Sequence, residues 1–160
     1  MSAAWALTLR HHAPGGDGVV FGSVRSCRGG TVDGAADMIG LLITTLPLRI
    51  DVPGGSTVRA WLADVRRRTG ELREHRLTPL DRIERWAGVP AGTPLFESVL
   101  MYDHRDLQGT LAATVPGWGR RHARVHRHPG PPLVLCVFGE PDLHALLYHD
   151  RHRLAPAAAD

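Results

Sequence analysis

A helix joined through a three-residue turn to the strand before it narrows what this chain can fold into. Residues 41–52 read as an apolar strand, Pro53-Gly54-Gly55 makes a turn, and Ser56 or Thr57 can cap the free amides of a helix. In that helix Val58, Trp61, Leu62, Val65, Thr69 and Leu72 recur at spacings of three and four and form one face. Arg59, Arg66, Arg67 and Arg73 lie mostly on the other side. A strand feeding an amphipathic helix must bury that face against a sheet or a second helix. Residues 19–24 are β-branched and apolar, a buried strand. Residues 95–102 are strand-like, and 131–138 with 142–149 form a hairpin around Gly139-Glu140-Pro141. Residues 3–10 predict a helix, 35–38 a helical turn, and 79–88 a short helix burying Leu80, Ile83 and Trp86 before Gly88 ends it. Residues 121–128 alternate as an exposed strand, and 151–159 carry a last, short helix signal. Pro47 lacks a backbone donor, so its strand is at an edge or bulged. Helices and strands intermix, so the expected class is α/β, a mixed-sheet α+β sandwich.

At 160 residues the chain has room for one domain with a real core. No apolar run approaches the roughly 20 residues of a membrane helix, and the start lacks a basic region before its apolar residues. Two cysteines, Cys27 and Cys136, are too few for a disulfide framework, so reduced thiols and a cytoplasmic setting are expected. The net charge is +3, yet the chain contains no lysine; every fixed positive charge is an arginine. Nucleic-acid surfaces usually combine lysines with interleaved aromatics, and aromatics are 6% here. Neither a nucleic-acid nor a membrane partner is expected.

One stretch is more specific than composition. Gly40-Leu41-Leu42-Ile43-Thr44-Thr45-Leu46-Pro47-Leu48-Arg49 resembles the Gly-x-Phe-Val-Asn-Thr-Leu-Pro-Leu-Arg motif of condensation domains from nonribosomal peptide synthetases. Other segments follow the family's order. Ala4-Trp5 looks like the helix that opens the C-terminal lobe, and Asp17-Gly18-Val19-Val20-Phe21-Gly22 like an Asp-Val-Val-Phe-Gly strand. Ser26-Cys27-Arg28 stands where Ser-Gly-Arg is common. His75-Arg76-Leu77-Thr78-Pro79-Leu80, residues 95–102 and Tyr148-His149-Asp150 are similar to later segments. The likeness runs from about residue 3 to about residue 154.

The resemblance implies one lobe, the C-terminal, of a chloramphenicol-acetyltransferase-like two-lobe fold, occupying residues 1–160 with terminal helices cut short and the N-terminal lobe absent. It implies amide formation between acyl or aminoacyl groups held on the phosphopantetheine of carrier proteins. No cofactor is expected to bind this lobe directly. Expected partners are an N-terminal lobe or upstream synthetase chain, and a peptidyl or acyl carrier protein. Ser26, Arg28 and Thr44 are the expected tunnel-lining residues; Arg49 and Asp37 are expected to be structural. With the His-His-x-x-x-Asp-Gly lobe missing, no catalytic residue is assigned and the chain is expected to be inactive alone. The alternative is a carrier-protein-binding or scaffolding module derived from such a domain.

Departures from the pattern bear on this. The family's Asn is Thr44, a shorter side chain with a single hydroxyl. Its Ser-Gly-Arg glycine is Cys27, which restricts the backbone. His11-His12-Ala13-Pro14-Gly15-Gly16-Asp17-Gly18 looks like the catalytic motif but holds one residue too many. It also links a helix and strand of the wrong lobe, so it reads as a surface loop after a helix C-terminus, where positive charge is favoured. Arg121, Arg124 and Arg127, in a basic run with His122, His126 and His128, are candidates for docking an acidic carrier-protein helix. Interposed arginines argue against a metal there, and none is assigned. Arg28 and Arg49 could each pair a carboxylate such as Asp37 or Asp103.

Overall fold

The computed structural model describes residues 1–13, 15–28, 33–35, 37–90, 92–103, 107–121, 130–139 and 142–154. Two compact units divide the chain, Met1–Leu100 and Met101–Asp160.

In the first unit, α1 (Ser2–His12) leads into β1 (Gly18–Ser26), which pairs antiparallel with β2 (Ile43–Asp51) along its whole length, from Gly18↔Asp51 to Ser26↔Ile43. Pro47 sits opposite Gly22 in an unbroken register, so β2 is an edge strand and not a bulged one. Then come α2 (Val58–Glu71), α3 (Leu80–Trp86) and β3 (Ser98–Asp103), which begins three residues later than the apolar run suggests and whose first three residues belong to this unit. β3 pairs parallel with β1 through Gly22↔Val99 and Ser23↔Leu100, so the sheet is mixed. A parallel return needs a crossover, and α2 and α3 lie in it.

Strand alternation explains where the core sits. Phe21 and Ser23 of β1 share a face with Leu46, Leu48 and Ile50 of β2, and all five are buried. Trp5 and Ala6 of α1 and Val65 of α2 are buried as well. Trp5 Nε1 donates to Ser98 Oγ at 3.2 Å, tying α1 to β3. Removing Phe21, Leu46, Leu48 and Ile50 from water contributes roughly 1.5–3 kcal/mol for each side chain.

α2 starts where its cap predicts: Thr57 Oγ1 accepts from the Ala60 amide at 3.3 Å. Trp61 Nε1 donates to the Asp51 carbonyl at 2.7 Å, fastening the helix to the end of β2. The face is narrower than its spacing suggests, because Val58 and Leu62 are exposed. α3 departs further. It buries no residue, and Trp86 is 70% exposed beneath the guanidinium of Arg82. Seven residues make two turns, too few to hold a full apolar stripe against a neighbour.

In the second unit, α4 (Leu107–Thr114) and a 3-10 turn at Trp118–Arg120 precede the antiparallel hairpin of β4 (Leu133–Phe138) and β5 (His144–His149). Residues 151–154 form a turn on Asp150, whose carbonyl accepts from Arg153 and Leu154; the rest of the helix expected over 151–159 lies outside the described residues. The strand expected over 121–128 lies, beyond Arg121, outside the described residues. Among the described residues no helix is long and apolar enough to cross a membrane.

Candidate functional site

The residues singled out by sequence gather mainly around the open end of the β1–β2 pair. Arg28 stands just past β1 and is half-buried. Its guanidinium donates to three carbonyls of the loop between the strands: Ala35 at 3.1 Å, Met38 at 2.6 Å and Gly40 at 3.0 Å. The Cys27 amide donates to the Leu42 carbonyl at 2.8 Å, closing the same loop from the other side. Asp37 is exposed and makes no ion pair among the described residues; its amide donates to the Gly34 carbonyl. Arg28 therefore holds the loop through backbone oxygens and not through a carboxylate.

Thr44 lies across from Arg25 and Ser26 across from Ile43. Alternation puts the side chains of Thr44 and Ser26 on opposite faces of the strand pair. Thr44 belongs to the face that carries Leu46 and Leu48 and is half-buried at its end; Ser26 is exposed, and its Oγ accepts from the Arg28 amide. Strand geometry thus brings Ser26 to Arg28 and leaves Thr44 on the other face. The buried Cys27 thiol donates to the Arg76 carbonyl, 3.6 Å away.

Arg49 pairs neither Asp37 nor Asp103. It meets Asp51, two residues along its own strand, at 2.9 Å. Asp51 also takes Arg68 of α2 at 2.8 Å, Arg68 holds Asp64, and Asp64 shares Arg67, which reaches Glu71. This chain of charges runs from the end of β2 along α2. Hydrogen bonds from Arg67 and then Arg68 hold the Asp64 carboxyl below the usual carboxylate range. A carboxylate with a lower pKa folded than unfolded stabilises the fold above its unfolded value of about 4, and that contribution disappears as pH falls through the folded value. Asp64→Asn is therefore expected to lower stability slightly at pH 6–7, with the difference from the parent shrinking as the pH falls below about 4, in urea titrations across that range. The effect is small because solvent screens these exposed groups.

His11 and His12 occupy the last turn of α1, both exposed, their rings edge-to-face with centroids 5.1 Å apart. No carboxylate pairs with either among the described residues. Asp17 is exposed, and its carbonyl accepts from Val52 at 2.8 Å. The pair complements the negative end of the helix. In the second unit, Arg121 is exposed, with its guanidinium carbon 5.7 Å from the Trp118 ring centroid. Arg124 and Arg127 lie outside the described residues.

One grouping has no signal in the sequence pattern. Arg25, Arg73 and Arg76 come together around a cleft of about 330 Å³, edged by Ser26. Arg25 is distant along the chain from Arg73 and Arg76, and no local spacing marks the three as a group.

Comparison with known proteins places this geometry. The family model of the condensation domain matches residues 1–127. The chain is 37% identical over 153 residues to chondramide synthase cmdD of Chondromyces crocatus, covering 96% of this chain and 4% of that one. It is 38% identical over 134 residues to malpibaldin synthetase of Mortierella alpina, covering 84% and 2%. Among solved structures, the starter condensation domain of rhizomide synthetase RzmA superposes with a TM-score of 0.66 at 23% identity, covering 92% of this chain and 34% of that one. A chain described only as CT gives a TM-score of 0.74 at 20% identity, covering 99% and 36%. This chain thus spans a few per cent of those synthetases and about a third of those solved chains. With the family model extending over most of its length, the chain belongs to the condensation-domain family of nonribosomal peptide synthetases.

Proposed function

We propose that this chain is the C-terminal lobe of a condensation domain, one wall of a tunnel in which two carrier-bound substrates meet. In the reaction, the amine of an aminoacyl group attacks the thioester carbonyl of the other substrate. A C–N bond forms, the C–S bond breaks, and the pantetheine thiol leaves with the proton the amine gives up. The lobe would supply surface and loop order, with Ser26 and Arg28 on the tunnel side, and the other lobe would bring the His-His-x-x-x-Asp-Gly group. Carrier proteins bearing phosphopantetheine in a cytoplasmic synthetase are the partners, with Arg121, Arg124 and Arg127 as their docking candidates.

The observation that carries this reading is the family's strand and loop segments, present in the family's order, with the family model matching residues 1–127. Support also comes from the apolar segment before β2. Ile39 is 105% exposed and Leu41 84%, next to exposed Met38 and Ile43. A run of that kind marks a surface that another protein body covers.

The test is pair formation with a separately produced N-terminal condensation lobe. A 1:1 complex by size-exclusion chromatography with light scattering is expected, and Ile39→Asp with Leu41→Asp should abolish it without unfolding the chain. Failure to pair, with the chain folded, favours the carrier-binding module over the half-enzyme.

A further inference from the structure

The cleft at the end of β1 has a composition that ordinary packing does not explain. It is lined by Arg25, Ser26, Arg73 and Arg76, three guanidinium side chains and no carboxylate. Elsewhere the chain neutralises arginines that lie close to its frame: Arg49 and Arg68 share Asp51, Arg67 takes Asp64 and Glu71, and Arg85 takes Asp81. Arg25 and Arg73 form no ion pair among the described residues.

Arg25 is the most constrained of the three. It is half-buried, and its side chain makes one hydrogen bond among the described residues, a long one of 3.5 Å from Nη2 to the Thr69 carbonyl. Its Nε and the nearby Thr69 Oγ1 are both buried without a partner among the described residues. Burial first, and then the charge of Arg73, hold its guanidinium below its ordinary range, yet an arginine keeps its proton in a protein. Arg76 is anchored by a 2.9 Å bond from Nη1 to the Arg73 carbonyl. The carbonyl end of α2 supplies only about half a negative charge toward these cations. Like charges held together around an open concavity favour an anion from solution.

We infer that this cleft is a binding site for the phosphate of a phosphate ester. A planar carboxylate saturates one guanidinium fork, whereas a tetrahedral phosphate offers oxygens in several directions at once. Arg25 comes from the end of β1, and Arg73 and Arg76 from the turn that follows α2. At about 330 Å³ the cleft is at the small end of ligand sites, which suits the phosphate itself with the rest of its ester outside. That phosphate can come from a free small molecule or from the terminus of a pantetheine arm. The assignment does not rest on the condensation reading.

Isothermal titration at constant ionic strength tests it, using inorganic phosphate, phosphopantetheine and unphosphorylated pantetheine on the intact chain. Saturable phosphate binding is expected. Arg25→Gln and Arg73→Gln should each weaken it about tenfold or more, the worth of a lost charge-assisted bond, while Arg59→Gln on exposed α2 should change it less than twofold. Arg73 is exposed, so its variant keeps the test decisive if Arg25→Gln does not fold. Phosphopantetheine binding more tightly than phosphate, with pantetheine silent, supports the site and names the arm as its source. Equal affinity for phosphate and phosphopantetheine supports a free phosphate. Absence of saturable phosphate binding, or equal weakening by Arg59→Gln and Arg73→Gln, overturns the assignment.

Discussion

Arg28→Ala is expected to destabilise the chain by about 2–3 kcal/mol, a fall in Tm of roughly 5–10 °C for a domain of this size. The side chain gathers the carbonyls of Ala35, Met38 and Gly40, which no strand or helix ladder satisfies. Charged hydrogen bonds of this kind contribute about 1.5–3 kcal/mol each when buried, and partial exposure reduces that here. Lysine is a point charge and cannot span three acceptors, so Arg28→Lys should recover less than half of the loss. Hydrogen exchange should rise in residues 37–43 while the Phe21–Leu48 pairing stays protected. Full rescue by lysine would contradict the clamp. In the proposed two-lobe enzyme the same variant loosens the apolar segment that meets the partner.

Gly22→Val should cost about 3 kcal/mol or more, for a different reason. A Cβ at this position would come within 2.6 Å of Phe96 Cε2 and 2.8 Å of Thr45 Cγ2. Gly22 pairs with Pro47 on one side and Val99 on the other, so the backbone has little room to retreat. Overpacking a fixed site costs typically 1–3 kcal/mol, and a branched side chain is at the upper end or beyond it. Phe96→Ala in the same chain should return part of the loss, with a coupling of about 1 kcal/mol or more in a double-mutant cycle by urea unfolding. Additive losses would place the strain elsewhere.

How much of this could be read in advance depended on whether the governing contact was local. The α2 cap was legible because Thr57 and Ala60 are three residues apart, and β1 and β2 as strands because each is an apolar run; their pairing with each other is a long-range contact that no local pattern shows. Pro47 signalled an edge or a bulge, and pairing chose the edge. α4 was not legible: Leu107-Gln108-Gly109-Thr110 has a glycine and no polar face to set a period. Trp86 had core spacing, but spacing gives a face and not what covers it. The candidate site shows the same limit. Arg28 stood out as a lone arginine in a glycine-rich stretch, yet its partners are backbone oxygens, which no side-chain pattern reveals. Thr44 and Ser26 were grouped by motif, and only the strand register separates their faces. Arg25, Arg73 and Arg76 meet because α2 runs back along the sheet, a fact of folding rather than of spacing.

The most direct test of the half-enzyme reading is amide formation in trans. The chain is mixed with an N-terminal lobe bearing His-His-x-x-x-Asp-Gly and with two loaded carrier proteins, and the carrier-bound product is weighed by mass spectrometry. Dipeptidyl product is expected only when both lobes are present, and none from either lobe alone. Product from this chain by itself, or none from a stable two-lobe complex, would contradict that reading.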